Sequence, residues 1–281
     1  VLDESGARRG TGRPFCGARD DRAYYGAEEG ESVKKIAFYG KGGIGKSTTT
    51  SNVSAALAEQ GFTVMQIGCD PKSDSTKNLT AGVRILTVLD AIKEKGGHVK
   101  LEDIVVRSDT GVLCVEAGGP PPGIGCAGRG IIAAFERLDE LKAFQTYEPD
   151  FVLYDVLGDV VCGGFAMPIR GGYAEDVYIV TSGEMMALYA ADNINRAVAA
   201  YRNKGYARVR GVILNERNVK DERATVEAAC AEMGTSLVAS LPRSPEVQQA
   251  EELRKTVVAA LPDSAMAERY RSLARMLLES C

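Results

Sequence analysis

The residues with the clearest chemical potential form one run of eight: Gly40-Lys41-Gly42-Gly43-Ile44-Gly45-Lys46-Ser47. The run follows an apolar segment, residues 36–39, and opens a helical pattern that continues through Thr48, which is the setting of a phosphate-binding loop. Its glycines let backbone N–H groups surround phosphate oxygens at the positive end of a helix. Lys46 can reach the β- and γ-phosphates, and the Ser47 hydroxyl can ligate Mg²⁺. The run therefore predicts a site for MgATP or MgADP.

Lys41 is a second lysine at the entrance of this loop. The protein's own nucleotide does not require it, because Lys46 already supplies the loop's cation. Lys41 has a purpose if it reaches a nucleotide held by a facing, identical subunit, so we expect a homodimer. The alternative is a solvated loop lysine.

Apolar runs alternate with helical patterns from residue 34 onward. The predicted strands are residues 35–39, 63–68, 112–116, 151–155, 177–181, 209–214 and 236–240. The predicted helices lie near residues 46–60, 128–143, 185–204, 221–233, 245–254 and 264–279. This alternation predicts an α/β fold with a doubly wound, mostly parallel sheet, of the phosphate-loop NTPase type with the extra lysine. Ligands in such sheets bind beyond the carboxyl ends of the strands, so the loops at those ends should converge.

Carboxylates follow two of these predicted strands. Asp70 and Asp74 lie in the loop after the second, where they can hold the hydration shell of Mg²⁺ and respond to the γ-phosphate. Asp155 ends the fourth and is placed on the Mg²⁺ side of a nucleotide. Asp159, four residues later, is placed to orient or deprotonate the attacking water. Cleaving a phosphoanhydride needs positioning and charge neutralisation, so we assign Lys41, Asp159 and Asp70 to catalysis.

Two cysteines stand among glycines. Cys126 lies within the glycine-rich segment 118–130, and Cys162 precedes Gly163-Gly164. Iron–sulfur clusters are held by thiolates and tuned by backbone N–H groups near the sulfurs, which glycine makes accessible. A [4Fe–4S] cluster takes four thiolates, and a two-fold dimer supplies them as Cys126 and Cys162 from each subunit. Zinc and two plain core thiols are the alternatives, although closed zinc sites have tighter cysteine spacing.

Composition limits the remaining function classes. The 281 residues are 45% hydrophobic and carry a net charge of −4, so nothing indicates a nucleic-acid or membrane partner. We see no apolar stretch of transmembrane length and no secretory pattern, and we expect a cytosolic protein. Disulfides are rare there. Cys69, Cys114 and Cys230 lie in or beside apolar elements and are predicted to be inert core thiols.

The first 33 residues differ in composition from the rest and lack apolar periodicity. We interpret residues 1–33 as an extension, poorly structured or ordered only against a partner. A disordered tail without function is the alternative. Residues 34–281 form the predicted ATPase and iron–sulfur domain.

From residue 34 to the end, the chain resembles the nitrogenase iron protein (dinitrogenase reductase) family. The matching motifs are Gly40–Thr49, Gly68–Thr76, Gly118–Gly130, Tyr154–Arg170 and Ser182–Ala190. The resemblance implies a homodimer that binds one MgATP per subunit and bridges one [4Fe–4S] cluster. It also implies single-electron delivery, coupled to ATP hydrolysis, to a larger catalytic metalloprotein, with a ferredoxin or flavodoxin upstream. By the same resemblance, Asn215, Pro242, Arg243, Gln248 and Glu251 line the adenosine side, and Arg129 lies on the docking face.

The sequence departs from the nitrogenase pattern at Pro121, where the family usually has Glu, and at the end of the strand, where Leu214-Asn215-Glu216-Arg217-Asn218 stands in place of the usual Cys-Asn-Ser-Arg-Asn. These changes spare the ATP and cluster residues but touch the expected partner face. Iron proteins of nitrogenase-like enzymes, such as methylthio-alkane reductase, therefore remain an alternative. An ATPase switch of the ParA/MinD kind is a remote alternative, since those proteins lack the two glycine-flanked cysteines. An iron–sulfur scaffold usually has a C-terminal Cys-x-x-Cys pair, which the sequence does not contain.

Overall fold

The computed structural model describes residues 33–119, 127–158, 167–170, 172–202 and 207–279. Its strands are β1 (Lys34–Tyr39), β2 (Val64–Gly68), β3 (Val106–Arg107), β4 (Leu113–Glu116), β5 (Phe151–Asp155), β6 (Asp176–Thr181), β7 (Arg208–Asn215) and β8 (Leu237–Leu241). They form one sheet in the order β3-β4-β2-β5-β1-β6-β7-β8. All neighbouring pairs are parallel except β3 with β4. The predicted mostly parallel sheet is confirmed.

The helices connect these strands. They are α1 (Lys46–Glu59), α2 (Val88–Lys95), α3 (Leu101–Ile104), α4 (Ala127–Glu140), α5 (Ala143–Tyr147), α6 (Met167–Arg170), α7 (Met185–Arg202), α8 (Glu222–Glu232), α9 (Pro245–Glu252), α10 (Val257–Ala260) and α11 (Ala265–Glu279). A 3₁₀ turn covers Gly96–His98. None of these described helices combines the length and apolar character needed to cross a membrane.

Helices cover both faces of the sheet, and β1 shows why. Successive strand residues point to opposite faces. Ile36 and Phe38 join a core with residues of α1, α10 and α11, whereas Ala37 and Tyr39 join a second core with residues of α2, α4 and α7. A strand buried on both faces must be apolar throughout rather than alternating. The doubly wound arrangement follows from this burial.

The strand order brings the functional loops to one edge. β5 lies between β2 and β1, and β6 flanks β1 on its other side. Because these strands are parallel, the loops that follow them all leave from the same edge of the sheet. The phosphate loop after β1, the acidic loop after β2 and the segment after β5 are therefore neighbours.

The predicted elements agree with the structure at the level of existence and type. All seven predicted strands and six predicted helices are present, with ends shifted by a few residues. Prediction missed β3, whose two residues are too short to show a pattern, and the helices α2, α3, α5, α6 and α10. A local signal for α2 existed, because Thr87 caps its N-terminus by accepting a hydrogen bond from the Asp90 amide at 3.0 Å.

Candidate functional site

The loop between β1 and α1 has the backbone of a phosphate cradle. Gly43 and Gly45 adopt left-handed conformations, with φ of 74° and 101°, and Gly45 is the N-cap of α1. The Lys46 ammonium donates to the Lys41 carbonyl at 3.2 Å and is almost fully buried. Glycine is required where φ is positive, and the N-terminus of α1 gives the loop a positive end. Backbone and charge both favour an anionic ligand here.

The loop after β7 holds the phosphate loop from one side. Asn215, at the end of β7, donates its side-chain amide to the Ile44 carbonyl at 2.7 Å. Arg217 donates to the Gly43 carbonyl, also at 2.7 Å. A Cβ at Gly45 would lie 2.4 Å from the Asn215 amide nitrogen, so no side chain fits there. Since these carbonyls are occupied from outside, the amides of the loop are the groups it can offer to a phosphate.

Asp155 ends β5 with a buried carboxylate beside this loop. Its exposed fraction is 3%. Burial raises the pKa of Asp155 above its ordinary value, while the charge of Lys46 and hydrogen bonds with Ser47 and Ser75 lower it. A desolvated carboxylate next to a buried lysine and the Ser47 hydroxyl matches the donor set that Mg²⁺ takes beside a phosphate. The residues present therefore fit MgATP, with Ser47 and Asp155 on the metal side.

The loop after β2 carries Asp70 and Asp74. The Asp70 carboxylate accepts the Lys72 amide at 2.9 Å and contributes to the electrostatic field at Asp155, and Asp74 is exposed. Below the loop, Gln66 of β2 is fully buried and donates to the Ser75 carbonyl at 3.1 Å. The Ser51 hydroxyl of α1 donates to the same carbonyl at 2.9 Å. Helix α1 and the acidic loop are thus joined through buried polar groups.

Glu116, at the end of β4, fixes the far end of the acidic loop. Its Oε1 accepts the Thr76 amide at 2.7 Å and the Thr76 hydroxyl at 2.8 Å. Oε2 has no hydrogen-bond partner in the described part of the chain. Burial raises the pKa of Glu116 to about 7, the two Thr76 hydrogen bonds lower it, and Asp155 and Asp74 raise it. Sequence reasoning missed Glu116, because its partner Thr76 lies 40 positions away and only the folded sheet brings the two together.

Gly158 brings the segment after β5 against the phosphate loop. A Cβ at Gly158 would lie 2.5 Å from the Gly40 carbonyl oxygen and 2.7 Å from the Gly42 nitrogen. Backbone therefore packs directly on backbone between this segment and the phosphate loop. The next residue, Asp159, lies outside the described residues.

Three further predicted residues cannot be placed by the structure. Cys126 and Cys162 also lie outside the described residues, and only the backbone of Arg129 is described, in α4. Their roles stay predictions.

The residues predicted on the adenosine side lie at the ends of β7 and β8 and on α9. Thr48 donates to Glu251 at 3.3 Å, which brings α9 against α1. Gln248 is exposed on α9, one turn before Glu251. Pro242 follows β8 directly, and Arg243 reaches the mouth of the phosphate loop. Asn215 and Arg243 thus lie at the phosphate loop and Glu251 contacts α1, while the contacts of all five residues with adenosine stay predictions.

An open cavity of about 320 Å³ lies over the loop. Its lining consists of Lys41, Gly42, Gly43, Ile44, Glu184, Arg217 and Arg243. Lys41 is exposed there rather than folded back onto its own loop. The positive charges of Lys41, Arg217 and Arg243 surround one opening. They can bind the phosphates of a nucleotide, held either by this subunit or by a facing one. Glu184 and Arg217 were not singled out from the sequence, although both lie in segments that were.

Glu222, the first residue of α8, organises the loop that carries Asn215 and Arg217. Its nearly buried carboxylate accepts the amides of Gly183 at 2.8 Å, Arg217 at 2.9 Å and Val219 at 3.1 Å. The β6–α7 turn and the β7–α8 loop are thereby joined at one side chain. Carboxylates that accept several backbone amides are strong local organisers. The sequence did not reveal Glu222, because Gly183 is 39 positions away.

The cysteines predicted to be core thiols are confirmed. Cys69, Cys114 and Cys230 are free and buried. Burial raises the pKa of Cys114 to about 12 and raises those of Cys69 and Cys230 above the ordinary value. Thiols that stay protonated are poor nucleophiles and poor metal ligands.

Fold and site together define a phosphate-loop ATPase whose loop carries a second lysine.

Comparison with known proteins identifies the family. Residues 34–281 match the family described as 4Fe-4S iron sulfur cluster binding proteins, NifH/frxC family. A nitrogenase iron protein of Methanospirillum hungatei JF-1 is 54% identical over 249 residues, which are 88% of this chain and 88% of that protein. The chain therefore belongs to the NifH/frxC family.

Solved structures share the fold at lower identity. The cell division ATPase MinD of Pyrococcus furiosus is 21% identical, with a TM-score of 0.68 over 89% of this chain and 100% of that chain. A ParA family ATPase of Chlorobium tepidum is 17% identical, with a TM-score of 0.68 over 87% of this chain and 99% of that chain. At this identity the likeness establishes the fold alone.

The raised pKa of Glu116 makes stability depend on pH. The folded protein holds the proton up to about pH 7, whereas the unfolded chain releases it near the ordinary value of 4.5. The contribution of protonated Glu116 to stability is therefore complete below the pKa of the unfolded state, and it is lost as pH rises through the pKa of the folded state. Glu116→Gln stays neutral and avoids the loss. We expect the variant to gain up to about 3 kcal/mol over the wild type between about pH 5 and about pH 8.

Urea denaturation across this pH range measures the difference. The exposed Glu102→Gln variant controls for the loss of one negative charge, since its side chain is 74% exposed. A difference between Glu116→Gln and wild type that does not change with pH contradicts the expectation.

The amides bound by Glu222 predict a large cost for a conservative change. Glu222→Gln replaces one acceptor oxygen with an NH₂ group that faces a backbone N–H. We expect the free energy of unfolding to fall by about 2–3 kcal/mol, because a hydrogen bond to a charged acceptor contributes about that much. Glu227→Gln, on the same helix but exposed, is the matched control and should change stability by less than about 0.5 kcal/mol. Equal unfolding midpoints for the two variants would argue against this role of Glu222.

Proposed function

We propose that this chain is an ATP-dependent electron-transfer iron protein that works as a homodimer. Each subunit binds MgATP, and the two subunits hold one [4Fe–4S] cluster between them. ATP hydrolysis is coupled to the delivery of single electrons to a larger catalytic metalloprotein. Membership of the NifH/frxC family supports the general role of an ATP-dependent iron protein. The dimer, the bridging cluster and the electron delivery are the proposal.

One observation carries the coupling of nucleotide to redox chemistry. The buried Asp155 shares hydrogen bonds with Ser47, the predicted Mg²⁺ ligand of the phosphate loop, and with Ser75 of the acidic loop. Gly158, three residues later, packs on the phosphate loop. In the sequence, Cys162 follows Asp155 by seven positions and Asp159 by three. A change at the phosphates thus has a short covalent path to a predicted cluster ligand.

The chain's own residues divide the work of hydrolysis. Lys46 neutralises charge on the β- and γ-phosphates, and the loop amides orient them. Ser47 and Asp155 hold the metal side, with Asp70 and Asp74 near its hydration shell. Asp159 positions the attacking water. The bound MgATP supplies the free energy, and the cluster supplies one-electron chemistry at low potential.

Lys41 completes the site across the dimer. Its side chain is exposed at the mouth of the cavity, and its own loop already contains the buried Lys46. In a two-fold dimer the same lysine faces the partner's nucleotide. Association of the subunits and stabilisation of the transition state then depend on the same side chain.

The catalytic partner is a nitrogenase or a nitrogenase-like component. The relative from Methanospirillum hungatei carries the name nitrogenase iron protein. The departures at Pro121 and Glu216 make the reductase component of methylthio-alkane reductase the second candidate. Arg129 is the proposed docking residue, and a ferredoxin or flavodoxin is the proposed electron donor. To distinguish the two candidate partners, the reduced protein is mixed with each purified catalytic component. Dinitrogen reduction with the first component, or thioether cleavage with the second, identifies the partner that this protein serves.

A subunit-mixing experiment tests the role of Lys41. Lys41→Ala and Lys46→Ala variants are each expected to lose ATP hydrolysis. In a mixed dimer, the Lys41→Ala subunit keeps its own Lys46 and receives Lys41 from its partner, so one complete site reappears. Random mixing should restore about a quarter of the wild-type rate, since half of the dimers are mixed and each has one competent site. No recovery in the mixture would mean that Lys41 acts within its own subunit.

Iron analysis tests the cluster ligands. Anaerobically purified protein should contain about four irons per dimer and absorb as a brown iron–sulfur protein. Cys126→Ser and Cys162→Ser should lose the iron, because each change removes two of the four thiolates. Cys230→Ala is the control, since Cys230 is buried against the core and should leave the iron content unchanged. Iron retained in both serine variants would overturn the proposed ligand set.

A further inference from the structure

The acidic loop after β2 touches the start of the β4–α4 connection without free space. A Cβ at Gly119 would lie 2.5 Å from the Pro71 Cβ and 2.9 Å from the Pro71 Cα. A Cβ at Gly130 of α4 would lie 3.6 Å from the Gly119 Cα. Gly119 therefore packs directly on Pro71 and also lies close to Gly130. A displacement of Pro71 cannot be absorbed by a side chain at Gly119, because there is none.

The same two segments are also joined by hydrogen bonds. Glu116 precedes the connection by one residue, and its Oε1 accepts both the amide and the hydroxyl of Thr76, at the end of the acidic loop. A Cβ at Gly68 would lie 2.1 Å from Glu116 Oε2, so only glycine allows the carboxylate to reach this position. The acidic loop is thus attached to β4 at its end through Thr76, and it is in contact with Gly119 near its beginning through Pro71.

The acidic loop is attached to the nucleotide site as well. The Ser75 hydroxyl, adjacent to Thr76, shares the Asp155 carboxylate with the Ser47 hydroxyl. A metal ion held by the Ser47 oxygen would leave the hydroxyl proton directed at Asp155 and strengthen that hydrogen bond, because the cation polarises the O–H group. The hydrogen bond that Ser75 donates to the same carboxylate would readjust in response, and Thr76 is the next residue along the chain. Glu116 accepts the hydrogen bonds of Thr76 and is therefore the last residue of this connection.

We propose that Glu116 is a positioning residue that makes the acidic loop, residues 69–76, and the junction, residues 117–119, respond together to the bound nucleotide. The inference rests on the proposed nucleotide site but not on a bound cluster. It adds a path that is separate from the segment after Asp155, since it leads through β4 toward the sequence that contains Cys126. The fold provides it because β2 and β4 are neighbours.

Hydrogen exchange of the full-length protein tests this path. Deuterium uptake is measured for peptides that cover residues 40–48, 69–76 and 113–119, with and without a non-hydrolysable MgATP analogue. In the wild type we expect the nucleotide to change uptake in all three peptides. In Glu116→Ala, the change in residues 40–48 should persist and the change in residues 113–119 should be lost. Glu116→Gln keeps an acceptor for Thr76 and should restore the wild-type response.

Each outcome has one meaning. A wild-type junction that ignores the nucleotide, while residues 40–48 respond, overturns the proposed path. The proposed path is also overturned if residues 113–119 of Glu116→Ala respond to the nucleotide as in the wild type, because the response would then not depend on the Glu116 side chain. If residues 40–48 themselves do not respond, the nucleotide site fails and the path fails with it.

A second variant protects the test against misfolding. Thr76→Val removes the hydroxyl donor to Glu116 and keeps the shape of the side chain. We expect a weakened junction response with an intact response in residues 40–48. Thr225→Val is its control, since the exposed Thr225 hydroxyl donates within its own helix, α8, to the Asp221 carbonyl at 3.0 Å.

Discussion

The buried carboxylate of Asp155 is the interaction on which the rest of the site depends. It ends β5 in the centre of the sheet, where water cannot stabilise its charge. Lys46, Ser47 and Ser75 compensate for this desolvation, and they come from the phosphate loop, helix α1 and the acidic loop. A buried charge keeps its partners because losing one is costly. The phosphate loop, the acidic loop and the end of β5, which are distant in sequence, are therefore held at one point.

Close backbone packing around this point leaves little freedom for independent movement. Glycine at positions 40, 68 and 158 allows neighbouring segments to meet without side chains between them, since a Cβ at each would lie within about 2.5 Å of another segment's atoms. Packed interiors respond to change by shifting between discrete arrangements. The chemistry at the phosphates is therefore suited to moving whole segments, which is what the proposed coupling between ATP hydrolysis and electron transfer requires.

The sequence was sufficient for the features that are local. The phosphate loop, the strands and Asp155 can each be recognised from a few neighbouring residues. Glu116, Glu222 and Arg217 did not, because each acts through a contact that only the folded sheet creates. Glu222 meets Gly183 across 39 positions, and Glu116 meets Thr76 across 40. The edge strand β3, with two residues, has too few positions for a period to appear.

The midpoint reduction potential of the cluster, measured in the cluster-loaded dimer with and without MgATP, tests the central claim most directly. The claim is that Asp155 connects the nucleotide to the segment that leads to Cys162. Binding of MgATP should then shift the potential, because backbone position and hydrogen bonding around the sulfurs set it. A potential that is the same in the free and the MgATP-bound dimer, with nucleotide binding demonstrated in the same sample, would contradict the account.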